Sequence, residues 1–499
     1  MKKILGLFLS VFFLGMAGIY ADAFSLNKRL GRGVNMGNML EAPSEGEWGV
    51  KLNEDYFKII AEKGFTMVRI PVRWSATGRS LTAPPYTVDP AFFARVDKAI
   101  NAALKNKLMV VVNWHHYDEL FKDPDNNYDR FIAVWKQISE RYGQYSDDLL
   151  FEIMNEPNDK LTAEKWNSFF GDALAVIRKT NPTRAIVIGT AEWGGIGALK
   201  KLNLPTGDSN LILTIHYYSP FHFTHQGADW VKGSDPWLGT KWNGNYYDKK
   251  AVIDDMEQVR VWAQEHKIPV YVGEFGAYSK GDMASRIRWT SYCARLFEKL
   301  GFSWSYWEFC AGFGIYDAST KTWKDGLLNA LISNDTSILD LGNPPDPEKD
   351  KKKYGSLLKN GDFSKGMDGW IFGVWKGKAK GTVGSDGVFT AVISDPGKDR
   401  WNIQLLQLEL IIANGHSYVV YFDAWAEKDR LIYSSIENSV DYTPYSSSSE
   451  FQLTKEKKSF FYPFTKSGST DPKGRISFSL GGEAPTVHIC NVKILDLGK

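Results

Sequence analysis

Cysteine is scarce in this chain, and its scarcity excludes a small scaffold held together by disulfides. The 499 residues include three cysteines, Cys293, Cys310 and Cys490. None belongs to a C-x-x-C pair or lies close to a cluster of histidines. We interpret all three as ordinary buried thiols, with a Cys293–Cys310 bridge as the alternative.

A surplus of one charge is also missing. The chain has 60 basic and 58 acidic residues, giving a net charge of +2, and both signs are spread along its length. A protein that binds nucleic acid through its charge needs a concentrated basic patch. We therefore expect no nucleic-acid partner.

Long apolar runs are confined to the N-terminus. Residues 1–3 include two lysines, residues 4–19 are apolar, and Ala21-Asp22-Ala23 resembles a small-residue cleavage site. This pattern predicts a signal peptide over residues 1–23, cleaved after Ala21 or Ala23. A retained anchor is the alternative, although the run is short for a bilayer span. No later stretch predicts a transmembrane helix, so we expect a secreted protein (extracellular, periplasmic or at the cell surface) that is soluble once cleaved.

Aromatic residues, in contrast, are abundant. They make up 14% of the chain and include 18 tryptophans and 23 tyrosines. Composition alone favours large aromatic cores. The alternative is that some of these rings are stacking platforms for flat apolar ligand faces, such as those of sugar rings.

The length suggests two domains, and the first shows a regular alternation of strands and helices. Amphipathic stretches such as 55–63, 90–105 and 163–179 separate apolar, strand-like runs. Eight such alternations predict an α/β fold, a (β/α)8 TIM barrel over residues 24–332. A doubly wound sheet is the alternative, but the glycines at 31, 33 and 37 miss its G-x-G-x-x-G fingerprint. The eight runs are 33–38, 67–72, 108–114, 149–155, 185–190, 211–218, 269–273 and 302–307.

Polar and aromatic side chains end almost every one of these strands. In a barrel, such positions meet at the C-terminal face, where barrel enzymes carry their active sites. A barrel built only for stability has no reason for this pattern, so we predict an enzyme. The residues are Asn35, Asn38, Glu41, Arg69, Arg73, Asn113, His115, His116, Asn155, Glu156, Glu192, Trp193, His216, Tyr218, Glu274, Trp307 and Glu308.

Two of these residues are carboxylates placed for shared chemistry. Glu156 follows the fourth strand and Glu274 the seventh, so they should face each other across the barrel. Such a pair suits glycoside hydrolysis, with one acid/base and one nucleophile or base. Taken singly, each could instead cap a helix or pair with a cation.

A metal site is the other chemistry that this face could support. Several histidines, including His115, His116 and His216, could serve as ligands. However, adjacent residues of a strand point to opposite faces, and no H-E-x-x-H spacing is present. We therefore predict no metal and no other cofactor.

The motifs at these strand ends resemble glycoside hydrolase family 5, the cellulase and mannanase family. The resemblance covers roughly residues 24–332 and is greatest to a bacterial branch of broad β-1,4-glucanases. It rests on Asn155-Glu-Pro157, Gly273-Glu-Phe-Gly276, His216-x-Tyr218, Arg69 in 68–71, Trp307, and the segments 35–43, 47–49, 113–116 and 223–227.

The resemblance implies a role for each matching residue. Glu156 would be the general acid/base and Glu274 the nucleophile. Arg69 and Tyr218 would lie near the nucleophile, and Asn155 near the sugar 2-hydroxyl. Further substrate-binding positions would be the floor residues His115 and His216, the stacking platform Trp307, and the cleft residues Asn38, Glu41, His116, His225 and Trp230.

The resemblance also implies an activity. It is that of a secreted, retaining endo-β-1,4-glucanase that hydrolyses internal bonds of cellulose-like glucans by double displacement. A mannanase or a dual glucanase/mannanase is the alternative, and a non-catalytic carbohydrate-binding protein is a third. The expected partner is a β-glucan or mannan polysaccharide, and we expect a monomer without membrane contact after signal cleavage.

The second part of the chain differs from the first in composition and in its pattern of apolar residues. Residues 333–353 are rich in proline and charge, which predicts a linker. Short alternating runs at 417–425, 460–464, 475–480 and 486–495 predict an all-β sandwich over residues 354–499. Residues 357–363, 369–370 and 492–497 resemble jelly-roll carbohydrate-binding modules. The aromatics Trp370, Trp375, Trp401 and Trp425 are candidates for either ligand binding or core.

Overall fold

The structure is a computed structural model that describes residues 22–342, 355–445, 449–466 and 469–498. Most of the predicted signal peptide (1–21) and of the predicted linker (343–353) lies outside these ranges. Within the described residues, no helix combines the length and the apolar character needed to cross a membrane.

The first domain is a closed barrel of eight parallel strands in sequential order. All eight predicted runs form barrel strands, so the barrel is confirmed and the doubly wound alternative is excluded. The strands are β1 (Arg32–Asn35), β2 (Met67–Val72), β3 (Met109–Trp114), β4 (Leu149–Glu152), β5 (Ile186–Gly189), β6 (Leu211–Tyr217), β7 (Val270–Phe275) and β8 (Ser303–Tyr306).

Helices cover the outside of the barrel, and side-chain caps fix where several begin. Asp89 accepts from the N–H of Phe92 at the start of α3, where Pro90 occupies the first turn. The helices are α1 (Ala23–Leu30), α2 (Asp55–Glu62), α3 (Pro90–Lys105), α4 (Asp118–Lys122), α5 (Pro124–Tyr142), α6 (Ala163–Arg178), α7 (Phe221–Thr224), α8 (Tyr246–His266), α9 (Met283–Lys299) and α10 (Asp325–Ile332).

The barrel core explains much of the aromatic content. The strands are buried on both faces, as expected for parallel strands enclosed by helices. Helix α1 closes the N-terminal end, where Leu26 and Leu30 pack against Met67 and Met109. Most of the fully buried large side chains are tryptophans: Trp74, Trp114, Trp135, Trp166, Trp242, Trp289 and Trp304.

The second domain is the predicted β-sandwich. It consists of two five-stranded antiparallel sheets, ordered β11-β14-β19-β16-β17 and β12-β13-β20-β15-β18, which enclose their own core. The preceding strands β9 (Tyr316–Asp317) and β10 (Thr322–Trp323) form a small separate pair. The sandwich strands are β11 (Ile371–Val374), β12 (Lys378–Val383), β13 (Phe389–Asp395), β14 (Ile403–Ile412), β15 (Ser417–Ala426), β16 (Arg430–Asn438), β17 (Ser449–Leu453), β18 (Lys458–Thr465), β19 (Asp471–Ser479) and β20 (Val487–Gly498).

The three cysteines are free. Cys293 and Cys490 are buried as expected, whereas Cys310 is only partly buried. The Cys293–Cys310 bridge is therefore not formed, because Cys293 faces the hydrophobic core of the barrel from α9.

Candidate active site

Arg69 is the hub of the C-terminal face of the barrel. It lies on β2 with no solvent exposure, and its Nε and Nη2 each donate to Glu152 on β4 at 2.7 Å. Its Nη1 donates to Glu274 at 2.6 Å and its Nη2 to Asn155 at 2.6 Å. Burial alone would lower the pKa of Arg69, but the carboxylates of Glu152 and Glu274 outweigh it and raise the pKa well above the usual value. Arg69 is thus a permanent positive charge at this face of the barrel.

Glu274 is the buried carboxylate of the site, with 4% of its surface exposed. One oxygen accepts from Arg69, and the other accepts from the Tyr218 hydroxyl at 2.9 Å. Burial and the charge of Glu274 raise the pKa of Tyr218 well above 10, so the phenol stays a donor. Both groups stabilise negative charge on Glu274.

Glycines make room for the strand that carries Glu274. A side chain at Gly276 would lie 2.1 Å from the carbonyl oxygen of Trp307, and one at Gly273 would lie 2.5 Å from Thr214 Oγ1. These close approaches explain the glycines on both sides of Glu274.

Glu156 lies beyond the end of β4 and is the more open carboxylate, with 26% of its side chain exposed. Its Oε1 lies 2.6 Å from Nδ1 of His216, which is also 3.6 Å from Glu274 Oε2. One oxygen each of Glu156 and Glu274 and one His216 nitrogen lie within 4.8 Å of one another. Burial alone would lower the pKa of His216, but the two carboxylates, Glu274 first, raise it.

These three residues are the one group of possible metal ligands within the described ranges. Their donor set is already engaged by Arg69, Tyr218 and mutual hydrogen bonds. The sequence prediction that no metal takes part remains a prediction.

His115 and Trp307 lie side by side next to Glu274 at the C-terminal face of the barrel. Trp307 is partly buried just after β8 and stacks on His115, with ring centroids 5.3 Å apart and planes inclined by 10°. The Nε2 of His115 lies 3.9 Å from Glu274 Oε1. Burial, aided by neighbouring cations, lowers the pKa of His115 well below the usual value, so its ring is neutral. Trp307 is therefore at the lip of the barrel and not in its core.

The geometry of His116 corrects one sequence expectation. We expected His115 and His116 to point to opposite faces of a strand, but their rings are 4.6 Å apart and perpendicular. The reason is that β3 ends at Trp114, so neither histidine has strand geometry. Burial and the nearby charge of Arg73 lower the pKa of His116 to about 4.

The turn after β1 contributes Asn38 and Glu41. Asn38 is partly exposed and has a positive φ of 64°, whereas Glu41 is fully buried. The carboxylate of Glu41 accepts from the backbone N–H groups of Asn38 and Met39. In this structure Glu41 supports the turn that presents Asn38, and its predicted contact with substrate remains a prediction.

The loop after β6 forms an aromatic wall next to Tyr218. His225 lies 4.9 Å from the Tyr218 ring and stacks on Phe221 at 4.1 Å. Trp230 is 58% exposed and packs edge-on against Tyr278. All of the predicted site residues thus lie on the C-terminal face of the barrel, from the hub around Arg69 to this wall.

Sequence reasoning missed the buried carboxylate of Glu152 and named Glu308 only as one of the polar strand-end residues. Glu152 is the bidentate partner of Arg69, and a charged residue inside the apolar run of β4 was the available signal. Glu308, to which we gave no role, accepts from the backbone N–H groups of Cys310, Ala311 and Phe313. It holds the loop that follows Trp307.

Sequence reasoning also gave no role to Trp193, which is 61% exposed. The backbone N–H of Trp193 donates to the carbonyl oxygen of Pro157, the residue after Glu156. Glu192, Trp193 and Gly194 all have positive φ, between 56° and 68°. Such strain in non-glycine residues persists where a site needs it, which makes Trp193 a candidate platform on the Glu156 side.

Comparison with known families assigns both domains. Residues 31–312 match the family described as cellulase (glycosyl hydrolase family 5), and residues 355–486 match a carbohydrate binding domain. The chain is 37% identical over 322 residues to endoglucanase H of Acetivibrio thermocellus. That match covers 63% of this chain, and the chain spans about a third (34%) of endoglucanase H.

Solved structures agree with this assignment. Endoglucanase Cel5A of Thermotoga maritima is 54% identical, with a TM-score of 0.61 over 62% of this chain and 100% of that chain. A structure of the same endoglucanase in complex with mannotriose is 53% identical, with a TM-score of 0.61 over 62% of this chain and 100% of that chain.

Proposed function

Because the chain belongs to glycosyl hydrolase family 5, we propose that it is a retaining endo-β-1,4-glucanase acting on cellulose-like glucans. The observation that carries the proposal is the pair Glu156 and Glu274, with oxygens within 4.8 Å of one another. Retaining glycosidases hold their two carboxyl groups about 5–5.5 Å apart, whereas inverting enzymes need about 6.5–9.5 Å. The short separation supports direct attack by one carboxylate.

In the first step, Glu274 is the nucleophile. Its carboxylate attacks the anomeric carbon while Glu156 donates its proton to the glycosidic oxygen, and the bond between that carbon and oxygen breaks. Arg69 and Tyr218 support this assignment, because both donate to Glu274 and hold its carboxylate in one orientation. Among the described residues, no arginine or lysine forms an ion pair with Glu156, and its side chain is 26% exposed to the cleft.

In the second step, Glu156 acts as base. It takes a proton from a water that attacks the anomeric carbon, the bond to Glu274 breaks, and the released sugar keeps the starting configuration. His216 lies between the two carboxylates and is 2.6 Å from Glu156. This hydrogen bond orients the Glu156 carboxyl group toward the reacting bond.

Substrate choice depends on the 2-hydroxyl, which distinguishes glucose from mannose units. The amide oxygen of Asn155 accepts from Arg69, which leaves its NH2 group for this hydroxyl. A similar endoglucanase has been solved with cellobiose and with mannotriose. These complexes favour a dual glucanase/mannanase as the second candidate function.

The sandwich is proposed to bind the same polysaccharide. On the face of β14, β16 and β19 opposite the core, Gln404, Ser435 and Ser477 form a polar strip. Trp375, 56% exposed, lies against Gln404, and Tyr442, 58% exposed, lies against Arg475. Exposed rings beside polar side chains suit sugar binding.

The four tryptophans that the sequence singled out here fall into different environments. Trp370 is 6% exposed and packs in the sandwich core on Phe363. Trp375 and Trp401 are exposed, and Trp425 stacks on His488 on the other sheet. Trp375 is the ring that we assign to ligand binding, because it lies against Gln404 of the polar strip.

Two further features complete the proposal. Export rests on residues 1–23, and Asp22 caps α1 by accepting from Ser25 N–H at 2.7 Å. Cleavage after Ala21 would keep this cap. We propose a monomer that needs no cofactor.

The test is hydrolysis of a panel of polysaccharides by the full chain. We expect reducing ends from carboxymethylcellulose and barley glucan, and a first-formed product in the β configuration by NMR. The values of kcat/KM on glucomannan, galactomannan and xyloglucan would rank the substrates. An α product would contradict the retaining mechanism. If the parent released no more reducing ends than the inactive control Glu274→Gln, the protein would be a non-catalytic carbohydrate-binding protein instead.

Sugar binding by the sandwich has its own test in the inactive Glu274→Gln chain. Trp375→Ala should reduce retardation of this chain in glucan-containing gels. Trp425→Ala, on the opposite sheet, is the matched control. Equal retardation of all three chains across several polysaccharides would contradict binding at Trp375.

A further inference from the structure

The sandwich contacts the barrel through a cluster of apolar side chains. Tyr247 of α8 packs with Val419 and Tyr421 of β15 and Leu495 of β20, and all four are at most 7% exposed. We call this cluster, with the partly buried neighbours Tyr246, Phe461 and Leu497, the docking interface. Tyr247 meets Phe461 edge-on at 5.4 Å and Tyr421 at 6.1 Å.

Strand β15 carries apolar side chains on both faces, and this explains the docking. Tyr418, Val420 and Phe422 enter the sandwich core, whereas Val419 and Tyr421 alternate with them and face the barrel. Without the barrel, this outer face would expose a contiguous apolar patch, which soluble domains rarely do. Domains joined by a polar interface move relative to each other, and a buried aromatic interface opposes that motion.

The segment that follows α10, at the end of the first domain, also lies near the docking interface. Lys249, in the first turn of α8, donates to the carbonyl oxygen of Asp340 at 2.6 Å. The described part of the chain after α10 therefore runs to the N-terminus of α8, beside the docking interface.

The docking interface adjoins the loop that forms one wall of the cleft. We call residues 218–245, between β6 and α8, the β6–α8 loop; it carries His225 and Trp230. Residues 236–243 of this loop face 414–417 and 465–466 of the sandwich across a cavity of about 210 Å³. Burial, and after it the positive charge of Lys466, lowers the pKa of His222 in the loop.

Ring contacts connect this outer side of the loop to the active site. Trp237 stacks on His222 at 4.3 Å and meets Phe221 at 5.9 Å. Phe221 in turn stacks on His225, which contacts Tyr218, the donor to Glu274. A displacement of residues 236–243 would therefore move the wall of the cleft.

We propose that the sandwich is a fixed part of the enzyme, docked through Tyr247, Val419, Tyr421 and Leu495, and that it braces the β6–α8 loop in its substrate-binding position. Its partner surface is the N-terminus of α8 in the same chain. The effect on catalysis rests on the proposed glucanase function, whereas the docking itself does not.

The test uses the full chain with Val419→Asp, which places a charge in the docking interface but outside the sandwich core. Val392→Asp is the matched control, because Val392 lies on the outer face of the same sheet and is 52% exposed. Tyr247→Ser opens the interface from the barrel side, so a defect confined to the sandwich fold cannot account for both variants.

Three measurements decide the proposal. We expect Val419→Asp and Tyr247→Ser to increase the maximum dimension in small-angle scattering, to speed hydrogen exchange of peptides within 226–243 at least fivefold, and to raise KM for barley glucan about threefold with kcat within twofold. Val392→Asp should match the parent in all three.

Each contrary result removes a defined part of the proposal. An unchanged scattering profile in both variants would overturn the docking. An opened profile with unchanged exchange in 226–243 would overturn the bracing. A parent chain without glucanase activity would refute the proposed function instead, and scattering and exchange would still decide the docking and the bracing.

Discussion

The guanidinium of Arg69 and the carboxylate of Glu274 form a buried ion pair, with Nη1 2.6 Å from Oε1. The pair fixes the orientation of the Glu274 carboxylate beside a positive charge before substrate arrives. Such preorganisation is the main way in which enzymes lower a barrier that develops charge. It also leaves a positive charge in place if Glu274 is removed.

That remaining charge makes anion rescue the sharpest test of the two catalytic roles. Glu274→Ala should lose turnover by at least about a thousandfold. Added azide should restore activity on an aryl cellobioside, because azide enters the emptied position beside Arg69. The product should be the inverted glycosyl azide, identified by NMR.

The same experiment on Glu156→Ala provides the control. There the nucleophile is intact, so azide should act in the second step and give an azide of retained configuration. Inverted product from Glu156→Ala, with no rescue of Glu274→Ala, would exchange the two roles.

Glu152 is predicted to matter through Arg69 and not through substrate. Glu152→Gln would leave Arg69 without its bidentate partner in a fully buried position. Breaking a buried ion pair costs about 3–5 kcal/mol, so we expect a loss of stability at the lower end of that range in urea unfolding. KM should change less than kcat, because displacement of Arg69 disturbs the nucleophile Glu274 more than the residues that bind the sugar.

The control is the partly exposed pair of Arg95 and Glu45, which is also bidentate. Glu45→Gln should cost less than about 1 kcal/mol. Equal losses for the two variants would contradict a special role for the buried pair.

Trp307 is predicted to bind substrate and contribute little to the barrel core. Trp307→Ala removes a partly exposed ring stacked on His115, so we expect kcat/KM on barley glucan to fall about tenfold, the equivalent of about 1.4 kcal/mol of stacking. Thermal stability should change little. Trp304→Ala, a fully buried neighbour, should lose about 3–5 kcal/mol of stability.

The outcome that would refute the platform is a large loss of stability in Trp307→Ala with unchanged kcat and KM. The ring would then belong to the barrel core.

The barrel and the catalytic pair were predictable because their patterns are local. Apolar runs with polar ends identify strands and the lip of a barrel, and the order of strands puts Glu156 opposite Glu274. The partner of Glu152 was not predictable in this way, because the order of the strands does not tell which side chains pair inside the barrel.

Docking of the two domains was beyond sequence reasoning for a different reason. The alternation of β15 shows that both faces are apolar, but it does not name the surface that covers the second face. Tyr247 has that role, in a helix whose sequence pattern belongs to the barrel. The geometry of His115 and His116 likewise depended on where β3 ends.

Two buried carboxylates predict how stability depends on pH. Burial raises the pKa of Glu308 to about 7 and that of Glu41 to about 8, from a usual value of 4.5. The folded chain therefore binds more protons than the unfolded chain between pH 4.5 and these values. Their stabilising contribution is complete below pH 4.5 and is lost as the pH rises through 7 and 8.

Glu308→Gln should make this loss smaller, because an amide does not ionise. Between pH 6.5 and 8.5, we expect the Tm of the parent to fall more steeply than that of Glu308→Gln, as measured by calorimetry. Burial lowers the folded-state pKa values of His116 and His225 to about 4, and these histidines contribute the same background slope to the parent and to Glu308→Gln. Removing the charge at 308 also removes its repulsion of Glu41, which makes the decrease of Tm with pH smaller still.

The control is Glu164→Gln, which removes an exposed carboxylate on α6. It should keep the slope of the parent. Parallel curves for the parent and Glu308→Gln would mean that Glu308 stays ionised throughout, held by the three backbone N–H groups that face it.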